Sequence, residues 1–97
     1  MRKTRPFDMV EFLDDEETIQ EYMRQVIEDG DVDEILRAVG YVAKARGMTA
    51  VAKDAGVSRE SLYKALRPDS KPQFETILRV VRALGYTFKI APIQQSR

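Results

Sequence analysis

Apolar positions recur along this chain at helical spacing until its last stretch, where the period shortens. From Asp15 to Asp29 they are Ile19, Tyr22, Met23, Val26 and Ile27, an i, i+3, i+4, i+7, i+8 series that lines one helix face. Asp14 or Asp15 is placed to cap this helix, Glu16 and Glu17 suit the positive end of its dipole, and Gly30 ends it. A second amphipathic helix is predicted over residues 33–46, turning Ile35, Leu36, Val39, Val42 and Ala43 inward and stopping at Gly47. Gly40 inside it costs about 1 kcal/mol against alanine, which a close helix crossing would explain. A short helix capped by Thr49 then carries Val51, Ala52 and Ala55. Gly56 and Val57 make a tight turn, and Ser58 caps a further helix that points Leu62, Ala65 and Leu66 inward. Past a polar loop between Pro68 and Pro72, a fifth helix is expected from about Gln73 to Leu84, burying Phe74, Ile77, Leu78, Val81 and Leu84.

Beyond Gly85 the pattern alternates. Tyr86, Phe88 and Ile90 face one way and Thr87 and Lys89 the other, a strand period closed by Pro92. A lone strand cannot satisfy its own edges. Its partner must be the N-terminal arm or a strand from a second copy; the second copy is favoured, which makes Tyr86, Phe88 and Ile90 candidate dimer residues. Upstream, residues 8–13 are expected to form one helical turn capped by Asp8. The expected fold is therefore all-α, a bundle of about five helices with an acidic N-terminal helical region over residues 1–31 and a short C-terminal strand closing residues 32–97.

Charge sharpens that division. The formal net charge is zero, yet residues 8–34 hold twelve carboxylates against Arg24, while residues 35–97 hold twelve bases against Asp54, Glu60, Asp69 and Glu75. Arg2, Lys3 and Arg5 precede both stretches. A chain split this way offers two surfaces: a basic one suited to polyanions and an acidic one suited to a basic protein.

The two short helices joined by a glycine turn have a helix-turn-helix layout. Ala52 sits where the first crosses the second, and its small side chain permits close approach. The surface left on the second helix is Arg59, Glu60, Ser61, Tyr63, Lys64 and Arg67, polar with three cations, as a major-groove reader requires.

The run MTAVAKDAGVSRESLYKALRPDSKPQFETILRVVRALG resembles the lambda-repressor-like (Cro/C1, XRE) helix-turn-helix domain. More narrowly, AGVSRESLYKAL followed by FETILRVVRALGY and a closing strand is similar to HigA-type addiction-module antidote proteins, and the acidic FDMVEFLDDEETIQEYM fits that group. One departure stands out: members often carry Asn or Gly before the proline that opens the last helix, where this chain has Lys71. The resemblance implies a lambda-repressor-like bundle and an antitoxin of a type II toxin–antitoxin module. Such a protein neutralises a basic RelE/HigB-like toxin and represses its own operon as an operator-bound homodimer.

Carried onto this sequence, the resemblance places the start of the recognition helix at Ser58, Arg59 and Glu60, with Tyr63 and Lys64 continuing its groove-facing side. Arg59 is suited to a guanine, worth about 1–3 kcal/mol of discrimination; Glu60 to a cytosine or to orienting Arg59; Tyr63 to a thymine methyl or a phosphate. Thr49 opens a helix whose N–H groups face a phosphate, and Lys53, Lys64, Arg67 and Lys71 are phosphate candidates. For the toxin, Phe7, Met9 and Phe12 are the apolar anchors, and Asp14, Asp15, Glu16, Glu17 and Glu21 supply the charge. Two other readings stay open. One is a stand-alone phage-type regulator with no toxin; the other is a protein–protein adaptor that has lost DNA binding.

Other chemistries find little support. Cysteine and histidine are absent, which removes thiolate and imidazole ligands and the commonest general base. The carboxylates at 14–17 have no such companion, and no twelve-residue calcium loop occurs, so neither an enzyme nor a metal site nor any cofactor is expected. No apolar run approaches a membrane span and the N-terminus lacks a signal-peptide core, so no membrane contact and a cytoplasmic location are expected.

Overall fold

The computed structural model describes residues 15–93. Among these residues five helices follow in order: α1 Glu16–Asp29, α2 Val32–Arg46, α3 Met48–Ala55, α4 Arg59–Ala65 and α5 Phe74–Ala83. No strand occurs among the described residues. The helical turn expected over residues 8–13 lies outside them, as do Phe7, Met9, Phe12 and Asp14.

The helix ends follow from the residues that stand there. Asp15, in extended conformation, accepts the Thr18 N–H at 3.3 Å and the Thr18 hydroxyl at 2.7 Å, which fixes the start of α1. Gly30 takes a left-handed φ of 80° and donates its N–H to the Val26 carbonyl, closing α1. Asp31 then caps α2 by accepting the Asp33 and Glu34 N–H groups. The expected cap at Thr49 is not formed. Gly47 ends α2 by donating to Ala43, and its carbonyl receives the Val51 N–H as α3 begins. The two helices share that one linking residue, so Thr49 falls inside the first turn of α3, exposed, and no side chain caps α3.

The core is apolar throughout; no polar or charged side chain is buried among the described residues. Val39 and Val42 of α2, Leu62 of α4 and Val80 of α5 are completely buried, and Val51 and Ala52 of α3 lie among them. Helix α3 is the hub, packing on α2, α4 and α5, while α1 rests on α2. Ile19 and Met23 anchor α1, each side chain contributing about 1.5–3 kcal/mol by its burial.

Three expectations about packing need correction. Phe74 is 67% exposed; it is the first residue of α5, and the stripe that turns inward is Ile77, Val80, Val81 and Leu84. Ile27 lies at the edge of the inward face of α1 and is exposed. At Gly40, an added Cβ would lie 3.9 Å from Leu66 Cβ, which is ordinary contact. The end of α4 does pass over Gly40, but steric need for glycine does not follow.

The expected C-terminal strand is also absent. A strand needs a ladder partner, and none of the described residues pairs with Tyr86–Ile93. The Tyr86 N–H instead reaches back to the Val81 carbonyl at the end of α5. The alternation in the sequence survives in another role: Tyr86 and Phe88 pack onto the helical core, while Thr87 and Lys89 face out. Phe88 also meets Phe74, ring centroids 5.9 Å apart. Ile90 is fully exposed. Within one chain, Tyr86 and Phe88 serve the core, and Ile90 alone of the three presents an apolar side chain outward.

Candidate nucleic-acid interface

Helix α4 owes its placement to Leu62, which no solvent reaches, and its start to Ser58. The Ser58 hydroxyl accepts the Ser61 N–H at 3.0 Å and donates to Ser61 Oγ at 2.9 Å. The turn before it depends on Gly56, whose φ of 75° favours a residue without a side chain. With Leu62 turned inward, Arg59, Glu60, Tyr63 and Lys64 are all left exposed on α4.

Arg59 and Tyr63 lie one turn apart and touch. Arg59 Cζ is 5.3 Å from the Tyr63 ring centroid, and a guanidinium N–H points to the phenol oxygen at 3.4 Å. Stacking of this kind holds the guanidinium plane while leaving its edge available for a bidentate contact. Lys53, Arg59, Lys64, Arg67 and Lys71 form no salt bridge among the described residues. Thr49 and Lys53 lie four residues apart on one face of α3, away from the core.

Lys71 lies in the loop after α4 with a left-handed φ of 51°, and Asp69 in the same loop has φ 73°. This backbone explains why asparagine or glycine suits the position before Pro72. The loop is tied down where the Asp69 N–H donates to the Asp33 carboxylate of α2 at 3.0 Å. The Gln73 side chain makes no cap bond, so α5 starts uncapped.

Sequence reasoning overlooked Lys44. The end of α4 lies beside α2, so that Tyr63, Leu66 and Arg67 share a small pocket with Gly40, Tyr41 and Lys44. The available signal was Gly40 itself, an unfavourable residue in mid-helix.

At the other end of the molecule, the candidate acidic residues do different work. Asp15 is a cap. Glu16 accepts from Arg46 at 3.1 Å and from the Tyr86 hydroxyl at 2.5 Å, while Arg46 also donates to the Leu84 carbonyl at 2.9 Å. This knot ties α1, the end of α2 and the C-terminal run together. Partial burial, then the bond to Glu16, pushes the Tyr86 phenol up to about 12. Glu21 binds Arg24 at 2.6 Å and Gln25 at 3.0 Å, and the Arg24 contact holds its carboxyl below the usual range. Glu17 is exposed and lines an open groove between α1 and the C-terminal run, together with Met23, Val81 and Phe88.

Among the described residues no group of three or more carboxylates is placed to hold a metal ion. No helix there is long and apolar enough to cross a membrane.

Residues 3–92 match the family described as "Probable addiction module antidote protein". An uncharacterized protein of Haemophilus influenzae is 43% identical over 93 residues, covering 96% of this chain and 93% of that one. No solved structure matches. With nearly its whole length matched, the chain belongs to the family of probable addiction module antidote proteins.

Proposed function

We propose that this antidote is a HigA-type, DNA-binding antitoxin, in which α3 and α4 act as a lambda-repressor-like helix-turn-helix. The observation that carries the reading is the outer face of α4, where Arg59 stacks on Tyr63 and the exposed Lys64 stands beside them with no acidic partner among the described residues. In this reading Ser58, Arg59 and Glu60 enter the major groove, and Arg59 reads a guanine. Thr49, Lys53, Arg67 and Lys71 supply contacts to phosphates. Two copies present their α4 helices about 34 Å apart on the operator. The exposed Ile90, and a backbone around it without a backbone hydrogen bond among the described residues, suit a contact between copies.

Membership in an antidote family implies a toxin partner in general. The finer proposal is a basic RelE-like ribonuclease, blocked sterically rather than chemically, at the α1 end of a protein that works in the cytoplasm. Glu17 and Glu21 are exposed there, and charge of this sign speeds encounter with a basic partner.

The test is footprinting on the DNA upstream of the gene, followed by titration of the protected duplex and a scrambled one. Wild type is expected to prefer the protected duplex, and Arg59→Ala to lose about 1–3 kcal/mol of that preference with an unchanged fold. An unaltered preference in Arg59→Ala sinks the assignment of Arg59.

A further inference from the structure

We propose that the pocket between α2 and the end of α4 seats one phosphodiester of the DNA backbone, which extends the interface to a helix outside the turn-linked pair. The inference rests on the DNA-binding reading above. The pocket holds about 220 Å³ between Gly40, Tyr41 and Lys44 of α2 and Tyr63, Leu66 and Arg67 at the end of α4, and Met48 and Pro68 add apolar wall to it. That space admits a phosphate group.

The charge of the lining is one-sided. No acidic residue lines it. Lys44 and Arg67 make no ion pair among the described residues, whereas Arg37 at the same pocket is bonded to Glu34 at 2.8 Å. Tyr41 and Tyr63 also line it, and a phenol hydroxyl is a hydrogen-bond donor of the kind a phosphate oxygen accepts. The contrast is with the groove beside α1, whose lining includes Asp15, Glu17, Glu21 and Glu28.

Two details place the pocket on the DNA side. Tyr63 belongs both to the pocket and to the Arg59 stack, so a strand seated here continues from the base that Arg59 reads. Gly40 also gains a reason. A Cβ there makes only ordinary contact with Leu66, so packing does not demand glycine. A side chain would instead take space from the pocket it lines.

The experiment titrates the full-length protein with the footprinted duplex and with a scrambled duplex across a range of salt. Wild type, Lys44→Gln and Arg67→Gln are compared, with thermal melts confirming that each is folded. For Lys44→Gln the plot of log K against log salt should become shallower by about 0.9. Affinity should fall by roughly three- to tenfold on both duplexes alike, because a phosphate contact carries no sequence information. Arg67→Gln should behave in the same way. Unchanged slope and affinity in both variants overturn the inference while wild-type binding stands. A change confined to the preference between duplexes also overturns it, since that marks base contact. Failure of wild type to bind either duplex defeats the DNA-binding reading and this inference with it.

Discussion

Around α1 and the start of α2 the carboxylates are mostly engaged within the chain. Asp15 and Asp31 cap helices, Asp33 holds the loop after α4, Glu16 joins Arg46 to Tyr86, Glu21 and Glu28 flank Arg24, and Glu34 pairs with Arg37. Across α3, α4 and the following loop, Lys53, Arg59, Lys64, Arg67 and Lys71 have no acidic partner among the described residues. Two stretches that look like mirror images in charge thus differ in use. The acidic stretch organises helix ends and inter-helix ties, and the basic stretch stays open to an outside anion. Exposed ion pairs of the first kind contribute about 0–1 kcal/mol each, so they yield to a stronger partner.

The contrast breaks most severely where α4 loses its anchor. Leu62→Ala should cost about 2–5 kcal/mol, because Leu62 is fully buried and the cavity it leaves lies under the proposed DNA-reading face. Urea denaturation checks this, and a loss below 1 kcal/mol would mean that α4 is not seated as described. Met23→Ala on α1 should cost a similar amount through another contact, since α1 packs on α2. The variant should keep the proposed salt-dependent DNA binding of the α4 face at temperatures where it remains folded.

A smaller change sharpens the comparison at Gly40. Gly40→Ala should stabilise the chain by up to about 1 kcal/mol, because the added Cβ meets only Leu66 at ordinary distance. A lower melting temperature in this variant would show that the crossing is tighter than 3.9 Å implies. Lys71→Gly relieves a left-handed backbone that costs about 1–2 kcal/mol, against about 0.5–1 kcal/mol of added chain entropy. A net gain of about half a kcal/mol is expected, together with weaker phosphate contact if Lys71 meets DNA.

The last effect appears only at alkaline pH. The Tyr86 phenol is raised to about 12 in the fold, so folding favours its neutral form. That contribution is fully present below the unfolded value near 10 and is lost as pH rises through about 12. Tyr86→Phe should flatten the part of the stability loss that falls between pH 10 and 12, measured against wild type. An identical alkaline profile would show that the surroundings of Tyr86, its burial first and Glu16 second, do not favour the neutral phenol.

Much of this was legible in the residues. The apolar stripes of α1 and α2, the cap at Ser58 and the turn at Gly56 follow from local rules about spacing, side-chain oxygens and positive φ, and the structure has them where those rules place them. The misses were tertiary. Thr49 looked like a cap because nothing local says that Gly47 serves two helices at once. Tyr86 and Phe88 alternate as strand residues do, yet a half-buried run lying on a helical core has the same period. Lys44 and Arg67 come to line one pocket only because the end of α4 lies beside α2, which no spacing within either helix reveals.

The most direct measurement is the mass of what elutes when this chain is co-expressed with the product of a short adjoining gene and only that product is tagged. The account predicts a stoichiometric complex between this chain and a small basic protein, and loss of capture when Glu17 and Glu21 are changed to lysine. Elution of the tagged protein alone, with this chain recovered separately as a dimer, would contradict the partner reading and leave a plain repressor whose acidic helix serves only its own fold.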